Sequence, residues 1–89
     1  MHIEDGFVVR EIAGETIAIP SGDAAKSLSG LVSLNESGRF LFELLRTEQT
    51  ADSLLCAFLA EFDVDESTAR EDIEEFLGIL RQGGILVED

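Results

Sequence analysis

Residues 30–45, GLVSLNESGRFLFELL, join a short apolar strand directly to an amphipathic helix. Residues 31–34 have strand-like residue types over a strand-like length. Asn35 is a preferred N-cap residue, and Glu36 follows it where the helix dipole favours a negative charge. The apolar positions of the helix share one face at helical spacing: Phe40, Leu41, Leu44 and Leu45. The unit is either plain core or a surface where an open strand beside a helix takes up an extended peptide.

The residues before this unit predict a β-hairpin. Residues 6–13 (GFVVREIA) and 15–20 (ETIAIP) are rich in strand-forming types, and a tight turn that begins at Gly14 separates them. Pro20 cannot donate a hydrogen bond to a β-ladder, so we expect it to end the second strand. Residues 21–30 (SGDAAKSLSG) are small and polar, and they predict a loop leading into the third strand.

The remainder of the chain predicts three helices, at about residues 36–46, 51–62 and 66–82. Thr50 is a suitable N-cap for the second helix, and the third is expected to start at Asp65 or Ser67. Residues 83–84, two glycines, stop the third helix. Residues 85–87 form a short apolar tail that is expected to pack back onto the domain.

The third predicted helix has an inward apolar stripe, formed by Ala69, Ile73, Phe76, Leu77 and Leu80. Three strands followed by three helices indicate a single α+β domain over residues 1–89. In such a fold the helices cover one face of a small antiparallel sheet.

Length and charge limit the classes of function. The chain has 89 residues, enough for one domain with a small core. Its 19 acidic and 6 basic residues give a formal net charge of −13. Such a field repels phosphate groups, so neither nucleic acid nor an anionic membrane is an expected partner. Basic peptides and basic protein patches are attracted instead.

The single cysteine, Cys56, excludes an intrachain disulfide and a zinc site built from several cysteines. It lies in the apolar run LLCAFL and is therefore expected to be buried. The first residues are acidic and precede no long apolar segment, so no signal peptide is predicted. Because no apolar run reaches the ~18 residues of a membrane span, we expect a soluble cytoplasmic protein.

The chain offers little for catalysis. Its only histidine, His2, lies at an end that is expected to fray, and a buried Cys56 with no internal histidine provides no nucleophile–base pair. An acidic run on the third helix is expected to be a solvated face or a partner-recruiting surface: Glu71, Asp72, Glu74 and Glu75. No glycine-rich phosphate loop is found. The sequence therefore predicts no enzyme and no cofactor.

A partial calcium-loop pattern starts at Asp63. The first, third, fifth and twelfth positions of an EF-hand are matched by Asp63, Asp65, Ser67 and Glu74. Thr68 stands where the loop needs glycine, and the third helix is expected to run through the same residues. No metal site is predicted.

Two other functional classes remain open. Residues 52–54 (DSL) match the tripeptide on which acyl carrier proteins bear phosphopantetheine, here at Ser53, but the usual preceding glycine is missing and carriers are helical bundles. The order of elements also allows a DNA-binding winged helix. The negative net charge opposes that function, and so does the third helix, whose only basic residues are Arg70 and Arg81.

With these elements in place, the chain resembles the PqqD family of small peptide-binding proteins. The family serves pyrroloquinoline quinone biosynthesis and, more widely, the recognition of ribosomally made, modified peptides. The matching stretches are residues 7–15 (FVVREIAGE), 19–20 (IP), 34–38 (LNESG), 42–45 (FELL) and 72–77 (DIEEFL), then Leu80 and 83–86 (GGIL). Together they span nearly the whole chain, which looks more like the scattered PqqD-like members than those devoted to the quinone.

The resemblance implies a winged-helix-like fold of three strands and three helices without catalysis of its own. It also implies that the leader of a precursor peptide docks as an added strand, between the third strand and the third helix. A partner enzyme, often a radical S-adenosylmethionine maturase, would then act on the distant core peptide. Arg10 and Glu11 look like the family's Arg-Glu pair, of which at most one residue can share a face with a bound peptide.

The same resemblance gives the peptide-binding groove two sides. The backbone of the strand side would pair with the leader at Leu31, Val32, Ser33 and Leu34. The helix side would be drawn from Asp72, Glu75, Phe76 and Ile79. Ile79 lies off the inward stripe and is a candidate pocket residue, whereas Asp72 and Glu75 would attract a basic leader or be merely solvated. An exposed sheet edge can also pair with itself, so a homodimer through this edge is a further expectation.

Overall fold

The structure is a computed structural model and describes residues 1–21 and 32–88. Most of the loop predicted at residues 21–30, together with Leu31, lies outside the described residues. The elements follow one another as β1 (His2–Ile3), β2 (Phe7–Ile12), β3 (Glu15–Pro20), β4 (Val32–Leu34), α1 (Glu36–Leu44), α2 (Ala51–Glu61), α3 (Glu66–Gln82) and β5 (Leu86–Val87). The third strand of the sequence analysis is β4, and its third helix is α3.

Strands β2, β3 and β4 form an antiparallel sheet in that order. Pairing between β2 and β3 runs from Phe7 opposite Pro20 to Ile12 opposite Glu15. The two residues between the strands have positive φ angles, 53° at Ala13 and 83° at Gly14. This is the backbone of a two-residue type I′ hairpin, whose twist matches that of the strands. The turn therefore lies one residue earlier than predicted, at Ala13 and Gly14.

The central strand β3 also pairs with β4. Thr16 lies opposite Leu34, Ile17 opposite Ser33 and Ala18 opposite Val32. Because β4 is the last strand in the order β2-β3-β4, only one of its edges is paired within the described residues. A three-stranded antiparallel sheet followed by three helices confirms the predicted α+β class, while the winged-helix likeness stays a prediction.

A second, two-stranded sheet was not predicted. Strands β1 and β5 pair antiparallel, with His2 opposite Val87 and Ile3 opposite Leu86. The Glu4 amide donates to the carbonyl of Ile85 at 2.8 Å. Ile3 and Ile85 are both buried, so their apolar burial holds the first residues in place. The expectation that His2 frays was therefore wrong, and the apolar tail packs back as a strand.

All three helices start at side-chain caps. The Asn35 Oδ1 accepts from the Gly38 amide at 2.8 Å. Thr50 Oγ1 accepts from the Ser53 amide at 3.0 Å, and Asp65 Oδ1 accepts from the Thr68 amide at 2.8 Å. Each cap satisfies an amide that the helix leaves without an internal partner. The helix and strand bounds lie within two residues of those expected from the sequence.

The core lies between the sheet and the helices. Leu34 from β4 and the whole predicted stripe of α3 are buried in it. Phe7 and Phe42 meet edge to face, with ring centroids 6.0 Å apart. Helix α2 contributes Leu54 and Phe58, one turn apart, and this orientation leaves Cys56 exposed. The expected burial of Cys56 was therefore wrong.

Among the described residues, no helix combines the length and the apolar character that crossing a membrane requires.

Candidate functional site

A groove of about 370 Å³ lies where β4, the start of α1 and the middle of α3 come together. Its lining comes from all three elements: Ser33, Asn35, Ser37, Gly38, Asp72, Glu75, Phe76 and Ile79. The groove exists because β4 runs into α1 with only Asn35 between them, which fixes the strand end beside the helix start.

Strand β4 forms one side of the groove. Leu34 is buried and Val32 packs against the core, whereas Ser33 is exposed, as expected for side chains that alternate along a strand. Ser33 is accordingly the β4 residue that lines the groove. Strand β4 pairs with β3 alone among the described residues, so the backbone donors and acceptors of its other edge have no strand partner there.

The first turn of α1 lines the end of the groove that adjoins the end of β4. Asn35 Oδ1 caps this helix, and it also accepts a hydrogen bond from the Ser37 hydroxyl at 3.1 Å. Both side chains are therefore held in place by local hydrogen bonds. Gly38 is buried against the ring of Phe76, so the backbone of α1 comes close to α3 at this point.

Helix α3 forms the other side. Asp72, Glu75, Phe76 and Ile79 fall at 0, +3, +4 and +7, so they share one helix face. Phe76 is 8% exposed and forms the apolar floor, whereas Ile79 is 48% exposed at the rim. Asp72 is half-buried and Glu75 is exposed. Ile79 is one of only two large apolar side chains exposed among the described residues, the other being Ile12 on the hairpin.

The acidic side chains of the groove have no basic partner within the described part of the chain. The arginines of α3 pair elsewhere, Arg70 with Glu66 at 3.2 Å and Arg81 with Glu88 at 3.0 Å. The pairing with Arg81 holds the pKa of the Glu88 carboxyl below its usual value. Asp72 and Glu75 thus leave a negative charge beside the apolar surface of Phe76 and Ile79.

The structure brings together five of the eight site residues predicted from the sequence: Ser33, Asp72, Glu75, Phe76 and Ile79. Val32 and Leu34 lie on β4 but direct their side chains toward the core, so only their backbone can serve the groove. Leu31 lies outside the described residues. Whether these residues contact a peptide stays a prediction.

Three lining residues were missed: Asn35, Ser37 and Gly38. Asn35 was recognised as a cap, and its position directly after the strand was the available signal. Arg10 and Glu11 do not line the groove, and Glu11 lies 3.6 Å from Arg39 in an exposed ion pair.

A second depression, of about 490 Å³, adjoins the first around Ser33 and Asn35. Its other walls come from the hairpin turn and α1, and they include Glu15, Glu36 and Arg39. The concave surface therefore extends from the groove, past the end of β4, toward the hairpin turn.

The other motifs of the sequence have structural roles. Ser53 belongs to the capping box of α2, where its Oγ accepts from the Thr50 amide at 2.9 Å. The segment with the partial calcium pattern contains the Asp65 cap and the helix that follows it. Hydrogen bonds from Thr68, mainly from its amide, lower the pKa of the Asp65 carboxyl. Within residues 1–21 and 32–88, no cluster of three or more metal-binding side chains is found.

Comparison with known proteins connects this geometry to one family. The sequence profile described as "Coenzyme PQQ synthesis protein D (PqqD)" matches residues 15–86. A solved structure, described as "TbiB1 in Complex with the TbiA(beta) Leader Peptide", superposes with a TM-score of 0.72 and 24% sequence identity, covering 100% of both chains. At that identity the likeness shows a shared fold. No curated protein matches the sequence significantly.

Proposed function

The chain belongs to the PqqD family, and we propose that it is a non-catalytic protein that binds the leader of a ribosomally made precursor peptide. The leader would add to the outer edge of β4 as an extra strand and lie in the groove against α3. The protein would then present the peptide to a modifying enzyme, such as a radical S-adenosylmethionine maturase.

The observation that carries this proposal is the outer edge of β4 beside the groove. An added strand gains main-chain hydrogen bonds from such an edge, and nearby pockets select its side chains. The edge of β4 borders a groove with an apolar floor and rim, at Phe76 and Ile79. The structure that shares the fold is described as a complex with a leader peptide, which supports leader binding as a use of this fold.

The geometry gives less support to the alternatives. An acyl carrier is a helical bundle, whereas this chain is α+β and uses Ser53 as a helix cap. A DNA-reading helix needs free basic side chains, but Arg70 and Arg81 on α3 are both paired with acids and the net charge is −13.

Titration of the ¹⁵N-labelled protein tests the binding step. The probes are synthetic peptides that match the N-terminal segments of any short open reading frames found beside this gene. We expect shifts at the amides of residues 32–34 and along the groove face of α3. Binding that shifts other surfaces, or no binding by any candidate leader, contradicts the proposal.

Backbone methylation of a binding leader tests strand addition without altering the protein. Alternate residues of an added strand direct their N–H groups to β4, so N-methyl groups at those residues should abolish binding. The same methyl groups on the intervening residues point away and should be tolerated. Equal effects at every position would exclude a β-ladder. A complementary variant, Val32→Pro, should weaken binding by removing a donor, provided that circular dichroism shows an intact fold.

Presentation to the enzyme is a separate step and needs a separate assay. For a maturase whose gene lies beside this one, we expect faster modification of the full precursor when this protein is added. The rate at which a precursor without its leader is modified should not change when this protein is added. An equal rate with and without the protein contradicts presentation, while leaving leader binding intact.

A further inference from the structure

We propose that the guest strand carries a basic and an apolar side chain on one face, two or four positions apart. The apolar side chain would rest on Phe76 and Ile79, and the basic one would face Asp72 and Glu75. This inference rests on the proposed function, since it specifies the peptide that the groove accepts.

The separation of the two guest side chains follows from comparing the rise of helix α3 with the two-residue period of an extended strand. Asp72 and Ile79 are seven residues apart on α3, a rise of about 10 Å along the helix. Side chains on one face of an extended strand recur every two residues, at about 6.7 Å. One or two such steps therefore separate a side chain facing Asp72 from one resting on Ile79.

The type of guest side chain expected at each end of the groove follows from the exposure of Ile79 and the charge of Asp72 and Glu75. Ile79 is 48% exposed beside the buried ring of Phe76, which leaves apolar surface that a guest side chain can cover. Asp72 and Glu75 lie on the same helix face, and no described basic side chain pairs with either. A lysine or arginine of the guest would supply the missing positive charge in a partly enclosed groove, where screening is weaker than at an open surface.

The same charges argue against a second copy of the chain as the occupant. If two β4 edges paired around a twofold axis, the carboxylates of both α3 helices would enter one shared interface. Like charges brought together there oppose association. The groove is therefore better suited to a basic peptide than to homodimerisation.

Three ten-residue peptides in a serine–threonine host test the inference. One has arginine and leucine two positions apart, on the same strand face. The second has the same composition with a separation of three, which puts the two side chains on opposite faces. The third replaces arginine with citrulline, a neutral group of the same shape, in the first arrangement. Affinities are measured by amide-shift titration at low and at high salt.

We expect the same-face arginine peptide to bind at least about fivefold more tightly than either control at low salt, with the advantage shrinking at high salt. Asp72→Asn combined with Glu75→Gln should abolish the preference for arginine over citrulline. Asp63→Asn combined with Glu71→Gln removes the same two residue types and the same charge outside the groove lining, and it should keep the preference.

Several results would overturn the inference. Equal binding of the arginine and citrulline peptides would show that Asp72 and Glu75 are only solvated, and shifts from natural leaders would still support the proposed function. Failure of all three peptides to shift the groove amides also overturns it. So does a stable dimer in sedimentation, if dilution to monomer shifts the amides of β4. If circular dichroism shows that the variant with Asp72→Asn and Glu75→Gln does not fold, the single variant Glu75→Gln replaces it, since Glu75 is exposed. It should reduce the arginine preference severalfold.

Discussion

A Cβ atom placed on Gly38 would stand 3.2 Å from Cε1 of Phe76 and 3.0 Å from the cap oxygen of Asn35. Glycine at this position therefore lets α1 approach α3 closely enough for the Phe76 ring to form the floor of the groove. The contact links the stability of the fold to the shape of the site, because both depend on the same ring position.

Gly38→Ala is expected to lower the free energy of unfolding by about 1 kcal/mol. Overpacking against Phe76 and Asn35 costs about 1–3 kcal/mol, and the better helix propensity of alanine returns up to about 1 kcal/mol. Leader affinity should fall as well, since the ring moves into the groove. Urea denaturation and peptide titration measure the two effects.

Gly78→Ala is the matched control. No atom lies within 4 Å of a Cβ at Gly78, which sits inside α3. Alanine there should raise the free energy of unfolding by about 0.5–1 kcal/mol through helix propensity alone. A destabilised Gly78→Ala, or an unaffected Gly38→Ala, would contradict this view of the two glycines.

Ile79→Ser is expected to weaken leader binding about tenfold, because the apolar rim of the groove is removed. Ile12→Ser provides the comparison, since Ile12 is 51% exposed, close to the 48% of Ile79, but lies on the hairpin outside the groove. It should leave the affinity unchanged. Equal losses in the two variants would assign the effect to general surface hydrophobicity.

The cap of α3 predicts a stability difference that depends on pH. Hydrogen bonds from Thr68 hold the pKa of Asp65 below its usual value of 3.8. The ionised carboxylate therefore stabilises the fold above about pH 4, and this contribution is lost as the pH falls through the lowered pKa. Asp65→Asn keeps an amide cap that does not titrate.

Urea unfolding of both proteins between about pH 7 and pH 2.5 measures this contribution. The stability of the original protein relative to Asp65→Asn should decrease toward acid pH. Other carboxylates contribute to both proteins and cancel in the difference. A difference that stays constant over the whole range would exclude the cap as its source.

Ala13→Asn is expected to stabilise the hairpin by about 0.5–1 kcal/mol. Ala13 has a φ of 53°, a left-handed conformation that costs alanine about 1 kcal/mol and that asparagine tolerates better. The resulting Asn-Gly pair is a preferred type I′ turn. Ala13→Val should destabilise instead, because a β-branched side chain suits this conformation poorly; thermal melts of the three proteins give the order.

Cys56 should react with a thiol reagent in the folded protein, because its side chain is exposed on α2. Cys56→Ser should change the free energy of unfolding by less than about 0.5 kcal/mol, as expected for a surface substitution. Labelling that requires urea would indicate that the side chain is covered in solution.

Local signals allowed much of the fold to be predicted. Asn35, Thr50 and Asp65 are strong caps, and the α3 stripe has a clear helical period, so the helices were placed within two residues. Strand β4 and the position of Ile79 off the inward stripe follow from residue type and spacing, whereas the groove between β4 and α3 was expected from the family resemblance.

The remaining features depend on contacts between distant residues. Strands β1 and β5 have two residues each, too few for a periodic pattern, and they exist because the segments around Ile3 and Ile85 meet in the fold. The burial of Cys56 was predicted wrongly because an entirely apolar run does not reveal which helix face turns inward. Gly38 was missed because its role depends on the position of Phe76 in another helix.

The ladder between β1 and β5 places residues 2 and 87 opposite each other. The polypeptide consequently enters and leaves the domain at a single point. A larger host protein could thus carry the whole unit as an insertion in one of its surface loops, with short connections on either side.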